Sequence, residues 1–574
     1  MASPLDTSPD GGSTHRAAGA LEWTLFGVLC VTVVAYWSLQ YQPFVLPNND
    51  YASFQDTARS LAALELPRHF QRMPLFPALM GIVAPLLPCE QPYLQAALAV
   101  NAACSLGLLV LVFVFGARAF GRGALLPPLL LASTTQFHSM ALQPLVEPSL
   151  AFFVALAFVL FQARSPWQYA AAFAAGLGRY EAVILIPVLF VGNLAVDRRF
   201  FTHAGLAALA ASGFVGWTAL GWLHGSGGAT YYDLMAGMGF RAAPDFFERS
   251  FKEPFRGWYR EPGDGLWIFL LAIGIPLAAG VRAGLAEFRR EAAAIAAFFV
   301  LCVAVIVIFG INKARYVFPT EWIPIFFFAL GALRLTEAAE RALERAPRAL
   351  GAAVALAAGL ALAFVARRRG LQILATEGAQ PAALDAAFFA ALLALSALAL
   401  ALWSRHRPRI PAAAAALVLL ALLTPQIAGG VHAKRKELFK VMYENWGSYV
   451  AAQWLKEHLG PEERAVVVSP NHVEHLTGLG EDRVSGYASL RASNLEDLRE
   501  EMRARGIRYA LYTWRKAPET PSDAYYHKRL KAFLSEEFRS GGTIPGFEHV
   551  ATLPLPPELE RDPVQVYRVA EEGD

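Results

Sequence analysis

A polar loop, NNDYASFQDTARSLAALELPRHFQRMPLFP, interrupts the apolar runs of this chain soon after the first of them. It brings Asp50, Asp56 and Arg72 near a membrane surface, where ionisable side chains are costly unless function keeps them. A carboxylate there can accept a proton, and a guanidinium can hold an anion. Glu147 opens a later run between Pro144 and Pro148, Arg179 and Glu181 mark the break between two short runs, and Lys313, Arg315 and Tyr316 stand together in INKARYVFP. Simpler readings stand beside these. Asp50 would cap the helix YASFQDTARSL, Glu147 would complement a helix N-terminus, and Arg179 and Glu181 would pair with each other. Asp56 reads as part of an ordinary polar helix face.

The elements that must position these residues are membrane helices. The chain is 55% hydrophobic and only 17% charged, which makes lipid rather than water its expected solvent. Roughly thirteen apolar stretches, most near the length of a bilayer crossing, fill residues 21–428. After a first span to about residue 42 they fall near 92–116, 124–140, 147–163, 168–178, 181–196, 203–223, 265–281, 292–310, 316–333, 349–366, 383–403 and 411–428. The short pair at 168–178 and 181–196 reads as two crossings or one re-entrant hairpin. PLFPALMGIVAPLLP is short and bounded by proline, so it is placed as an interfacial helix within a first outer loop spanning 43–91.

With the N-terminus inside, Arg118 with Arg122, Arg164, Arg198 with Arg199, Arg289 with Arg290, Arg341 with Arg345 and Arg348, and Arg405, Arg407 and Arg409 all fall in inner loops. Lys313 and Arg315 then lie outside, against the rule. That placement suggests an anionic partner at the outer face, a lipid phosphate being the nearest candidate. No basic block is dense enough to follow a nucleic-acid backbone. The four cysteines share no metal-ligand spacing.

The expected fold is a polytopic α-helical membrane protein with a small C-terminal α/β domain. Residues 1–20 read as a disordered cytoplasmic tail, 21–429 as the membrane domain, and 430–574 as a soluble extracytoplasmic domain. In the last, SYVAAQWLKEHLG and NLEDLREEMRARG read as helices, and RAVVVS, RYALYTW, FEHVATLPL and VQVYRV as strands. HVEH lacks the spacing of a helical zinc motif and reads as a surface loop, and GSGGAT lacks the Lys of a phosphate-cradling loop.

A chain of short patterns, in order, resembles the integral-membrane glycosyltransferases of the GT-C type, including protein O-mannosyltransferases and lipid A aminoarabinose transferases. NDYASFQDTARSL is similar to the acidic first-loop motif of that family, RMPLFPALMG to its Arg-Pro-Leu-Pro element, and GARAFGRG to its basic first inner loop. LQPLVEPSLAFF resembles the acidic start of the fourth span, GLGRYEAVILIP the arginine element, and RYVFP a late outer-loop motif, so that residues 21–335 are mostly covered.

The resemblance implies an inverting glycosyltransferase, moving a sugar from a polyprenyl-phosphate-linked donor to an acceptor hydroxyl on the non-cytoplasmic face. Acceptor glycan, lipid and protein all remain open. Such a reaction needs a base at the outer surface, for which Asp50 is the candidate, and cations to stabilise the departing phosphate. Arg72, Arg179, Lys313 and Arg315 are the candidates for that role, with Glu147, Glu181 and Tyr316 completing a substrate-binding set. The site is expected to be electropositive around one acidic base.

Tyr51 follows Asp50 where the family often carries a second acid, so no metal or other cofactor is expected beyond the lipid-linked donor as co-substrate. Membrane lipids are expected partners and nucleic acid is not. The outer loop near 224–264, with Tyr231, Tyr232, Arg241, Trp258 and Tyr259, offers aromatic faces suited to sugar rings or to the membrane interface. The rival readings are a transporter or flippase of lipid-linked saccharides and a scaffold that recruits partners. Discontinuous helices at the midplane and two similar halves would favour the transporter. The alanine- and arginine-rich composition suggests a bacterial plasma membrane.

Overall fold

The computed structural model describes, with short interruptions, residues 19–40, 49–120, 123–224, 255, 270–308, 314–404, 414–428, 446–512 and 541–570. Lys313, the proposed tail over residues 1–18 and nearly all of the 224–264 loop lie outside the described residues. Contacts divide the chain into two compact bodies: residues 1–41 with 57–437, and residues 42–56 with 438–574.

The first body is helical. Its elements are α1 (Ala20–Gln40), α3 (Leu75–Val83), α4 (Pro92–Phe120), α5 (Leu126–Ser133), α6 (Thr135–Ala141), α7 (Glu147–Gln162), α8 (Gln168–Gly176), α9 (Leu185–Leu194) and α10 (Phe200–His224). They continue with α11 (Ile275–Glu287), α12 (Arg289–Ile308), α13 (Phe318–Glu344), α14 (Arg348–Glu377) and α15 (Ala379–Ser404). The helix α2 (Asn49–Ala62) carries the boundary between the two bodies.

Among the described residues, seven helices are long and apolar enough to cross a membrane: Ala20–Gln40, Pro92–Ala119, Phe200–His224, Arg289–Ile308, Arg315–Glu344, Arg348–Arg368 and Ala382–Ala401. The span expected at 124–140 is instead two short helices. Pro127 and Pro128 favour the first turn of α5, while Thr134 has extended backbone and its hydroxyl accepts the amide of Phe137, so the run is cut and recapped. The pair at 168–178 and 181–196 also consists of helices too short to cross, α8 and the turn-plus-helix Tyr180–Leu194. Leu75–Leu86 is likewise shorter than a crossing.

Close helix contact is concentrated where α11 meets α13. A Cβ on Gly280 would lie 1.7 Å from the Phe327 carbonyl oxygen, and one on Gly331 would lie 1.7 Å from that of Pro276. Glycine on both sides lets two backbones touch, the packing that apolar surroundings favour when hydrophobic burial gives little drive. The core of this body runs from Leu29 and Val33 on α1 through Phe158 and Phe161 on α7 to Phe326 and Phe328 on α13.

In the second body a five-stranded sheet has the order β2-β1-β3-β5-β4, with β1 (Arg464–Val467), β2 (Val484–Gly486), β3 (Ile507–Tyr512), β4 (Phe547–Leu553) and β5 (Val564–Val569). β1 runs parallel to β2 and β3, and β5 runs antiparallel to β3 and β4. The four expected strands are present, and β2, three residues long, is added to them. α16 (Trp446–His458) and α17 (Pro470–Thr477) cover one face, through Ala452, Leu455 and Val473. α18 (Leu495–Ala504) covers the other through Leu498 and Met502. α17 contains HVEH, so the expected surface loop is a helix with Pro470 at its start, a position proline suits.

Tyr487, just after β2, is buried beneath α18, and its hydroxyl has no hydrogen-bond partner among the described residues. Burial, then the neighbouring Tyr512 and Tyr567, push its phenol well above the ordinary tyrosine range. The folded state thus prefers the neutral phenol, and this residue's contribution to stability is intact below about pH 10 and declines as pH rises further. Tyr487→Phe removes the unbonded hydroxyl without opening a cavity. It is expected to stabilise the sheet by about 1 kcal/mol and to flatten the alkaline decline, read as slower hydrogen exchange in β1 to β3 of the full chain.

Candidate functional site

Three breaks in helical structure bring the candidate side chains together. α7 opens on Glu147 with Pro148 in its first turn, so the carboxylate sits at a helix N-terminus that favours negative charge. Arg179 has extended backbone, φ −155° and ψ 154°, between the end of α8 and the tight turn Tyr180–Ile184. Arg315 and Tyr316 lie in another tight turn, Ala314–Val317, that leads into α13. Residues at such breaks are freed from a helix face and can converge from three directions.

Glu147 is the hub. It is 1% exposed, and its Oε1 receives Arg179 Nη1 at 3.0 Å and faces Arg315 Nε at 3.6 Å. Arg179 Nε donates to Glu181, so one guanidinium bridges two carboxylates. Tyr316 lies beneath both cations, its ring centre 4.0 Å from the Arg179 guanidinium and 5.3 Å from that of Arg315. Cation–π contacts of partly exposed guanidiniums contribute about 1 kcal/mol each.

Within this cluster two guanidiniums face two carboxylates, so these four side chains are balanced in charge. The carboxylates offset the mutual repulsion that two partly buried cations would otherwise feel, and so allow them to be held close. Glu147 Oε2 is buried with no hydrogen-bond partner among the described residues. It is an acceptor inside the cluster, suited to a donor such as a hydroxyl.

Arg72 is tied to the same region through its backbone. Its carbonyl accepts the Trp217 indole N–H at 3.1 Å, and Leu75 N–H donates to Leu177 O at 2.9 Å, two residues before Arg179. Phe70, Met73 and Trp217 form a small apolar cluster with Leu177 and Tyr180 around this junction. The half-buried Arg72 therefore belongs to a segment stapled to the linker that carries Arg179.

The structure brings Glu147, Arg179, Glu181, Arg315 and Tyr316 into one cluster. Asp50 belongs to the other body, within residues 42–56, in the first turn of α2 and inside the helix rather than ahead of it as a cap. Ser53 Oγ donates to the Asp50 carbonyl at 2.8 Å.

Sequence reasoning passed over several buried polar residues. Asp385, 0% exposed on α15, accepts the Tyr36 hydroxyl of α1 at 2.7 Å. His138 is fixed as a neutral ring: Nδ1 accepts the Trp37 indole N–H at 2.8 Å, so Nε2 carries the hydrogen donated to Ala132 O at 2.6 Å. Glu321 in α13 is also buried, as is Asn101 in α4. An ionisable or amide residue inside an apolar run was the available signal for all four. Among the described residues there is no group of three or more His, Cys, Asp or Glu able to hold a metal ion.

The far end of the helical body has its own cations. Arg290, at the start of α12, donates to the Phe161 carbonyl at 2.7 Å near the end of α7, opposite the end that begins at Glu147.

No family model matches the chain, and a search of curated proteins finds no match. Among solved structures, the chain is similar to the crystal structure of ArnT from Cupriavidus metallidurans in the apo state, at 16% identity over 96% of this chain and 98% of that one, with a TM-score of 0.49. It is also similar to the crystal structure of ArnT from the same organism bound to undecaprenyl phosphate, at 15% identity over 96% of this chain and 99% of that one, with a TM-score of 0.46.

Proposed function

We propose that the protein is an inverting glycosyltransferase that moves a sugar from a polyprenyl-phosphate-linked donor to an acceptor hydroxyl on the non-cytoplasmic face of a bacterial plasma membrane. The observation that carries this reading is the convergence of Arg179 and Arg315, from two different helix breaks, on buried Glu147, with Tyr316 against both guanidiniums and each residue within a segment resembling a glycosyltransferase motif. A guanidinium presents five N–H donors in a planar fork, which suits it to hold a carboxylate and a phosphate together. Donors already oriented by Glu147 and Glu181 need little rearrangement when charge develops on a departing phosphate, and this is where such stabilisation is most effective.

In this mechanism the acceptor oxygen attacks the anomeric carbon from the side opposite the phosphate. Asp50 takes the proton of the acceptor hydroxyl, the bond from the anomeric carbon to the phosphate oxygen breaks, and that electron pair leaves on the lipid phosphate. A phosphate monoester is already a weak base, so the leaving group requires cations rather than a proton. Arg72 and Lys313 add positive charge to the outer surface, and Arg179 and Arg315 form the partly buried pair on Glu147. The arginines of the inner loops support the orientation with the N-terminus inside.

Asp50→Asn is the direct test. Cells expressing wild type are expected to show a sugar on envelope glycans by mass spectrometry that is missing from Asp50→Asn cells, a drop of about a hundredfold or more, while the purified variant binds undecaprenyl phosphate as wild type does. Transfer at the wild-type rate by the variant removes Asp50 as the base. An envelope that is unchanged when the wild-type protein is expressed counts against transfer altogether.

A further inference from the structure

Five residues link α6 to α7, and they run through protein rather than along its surface: Gln143, Pro144, Leu145 and Val146 are all buried. Irregular backbone inside a membrane body must have its carbonyls satisfied from within, because neither lipid nor bulk water supplies donors. Asn101, 0% exposed on α4, does this. Its Nδ2 amide donates to the Gln143 carbonyl at 2.5 Å and to the Leu145 carbonyl at 2.7 Å, so both of its N–H groups grip one turn.

The Gln143 carbonyl also accepts the Leu145 amide at 2.9 Å, and Gln143 Nε2 donates to Ser139 Oγ at 2.6 Å. Pro144 between them has no N–H to offer. The clamp ends two residues before Glu147. Because α7 begins directly after the turn, its height and rotation at the first residue follow from where Leu145 is held.

We propose that Asn101 is a positioning residue that fixes the start of α7 and thereby aims the Glu147 carboxylate, and with it the paired guanidiniums of Arg179 and Arg315. This rests on the reading of that cluster as the phosphate site of a glycosyltransferase. Asn101 itself touches no candidate substrate group, so its influence passes through Glu147. An alanine or leucine has no donor for the two carbonyls, and an ionised aspartate would repel them.

The test is a double-mutant cycle on the full chain in detergent, with undecaprenyl phosphate as the probe and affinity as the readout. Asn101→Ala is expected to weaken binding about tenfold, and to weaken it less than about twofold when Glu147→Gln is already present, because two residues acting through one carboxylate are not additive. Ser105→Ala is the control. Ser105 is equally buried one turn along the same helix but makes no bond to the turn, and its variant is expected to bind as wild type does.

Hydrogen exchange at the amides of residues 145–150 is expected to rise in Asn101→Ala and not in Ser105→Ala. Should the alanine variant fail to fold, Asn101→Ser keeps one donor and is expected to give an intermediate loss of affinity together with an intermediate rise in exchange. Affinity that is unchanged by either Asn101 variant, or losses that add in the double variant, overturn the inference while leaving the function standing. Absence of binding by the wild type overturns the glycosyltransferase reading and this inference with it.

Discussion

Glu147→Leu is expected to abolish undecaprenyl-phosphate binding and sugar transfer, and to lower the stability of the helical body by about 3 to 5 kcal/mol. The reason is the arrangement around a carboxylate that is 1% exposed. Removing it takes a carboxylate away from Arg179 and Arg315 together, while Arg179 keeps its pairing with Glu181. Breaking a buried ion pair from one side costs this much because the remaining charge keeps its desolvation penalty and loses its compensation. Glu147→Gln keeps the shape and one acceptor oxygen, so its loss should be smaller. Thermal unfolding and ligand binding on the same preparations check both expectations. A leucine variant as stable as wild type would mean that the two arginines relax into other partners, and the hub role of Glu147 would fall.

Gly331→Ala is expected to be nearly as damaging, although it adds one methyl group far along α13 from Arg315. The new carbon would sit 1.7 Å from the Pro276 carbonyl oxygen and 2.6 Å from the Gly280 amide nitrogen. Both neighbours are backbone atoms of α11, so no side chain can turn aside, and the two helices must separate. Overpacking that backbone has to absorb typically costs about 1 to 3 kcal/mol, and this contact is at the severe end. Gly280→Ala should behave alike, with its added carbon 1.7 Å from Phe327 O. The internal comparison is Gly216→Ala in α10, where nothing lies within 4 Å. That change should be neutral or stabilising by up to about 1 kcal/mol, since alanine is the better helix former. Monodisperse yield and thermal midpoint in detergent give the comparison. Equal behaviour of the Gly331 and Gly216 variants would show that α11 and α13 do not meet at their glycines.

The seven long apolar helices were legible because their runs have the length and composition of a crossing, whereas the shorter runs among the thirteen did not announce where they break. Glu147, Arg179, Arg315 and Tyr316 were legible because each interrupts or borders such a run. The strands around Val466, Ala510 and Val566 were readable for a related reason, namely short runs of β-branched or aromatic residues. What could not be read is informative. Thr134 lies in a polar run, Ser133 to Gln136, within a longer apolar stretch, and only its backbone angles reveal that it ends one helix and caps the next. Tyr36 and Asp385 stand at opposite ends of the helical body's sequence, and no local pattern says that they share a hydrogen bond. The pairing of Arg179 with Glu181 was readable because the two are near neighbours in sequence, but the meeting of Arg179 and Arg315 on Glu147 was not, since counting cations on one side of a membrane does not say which carboxylate will turn toward them.

The body that contains Asp50 is assembled from two stretches of chain, 42–56 and 438–574, with the whole of 57–437 lying between them in sequence. The early stretch cannot settle among its eventual neighbours until the ribosome has made the late one. Closing so long a loop is a slow, non-local step. A nascent chain therefore carries Arg179 and Arg315 long before the stretch 438–574 exists, so the body that contains Asp50 is the last to be completed.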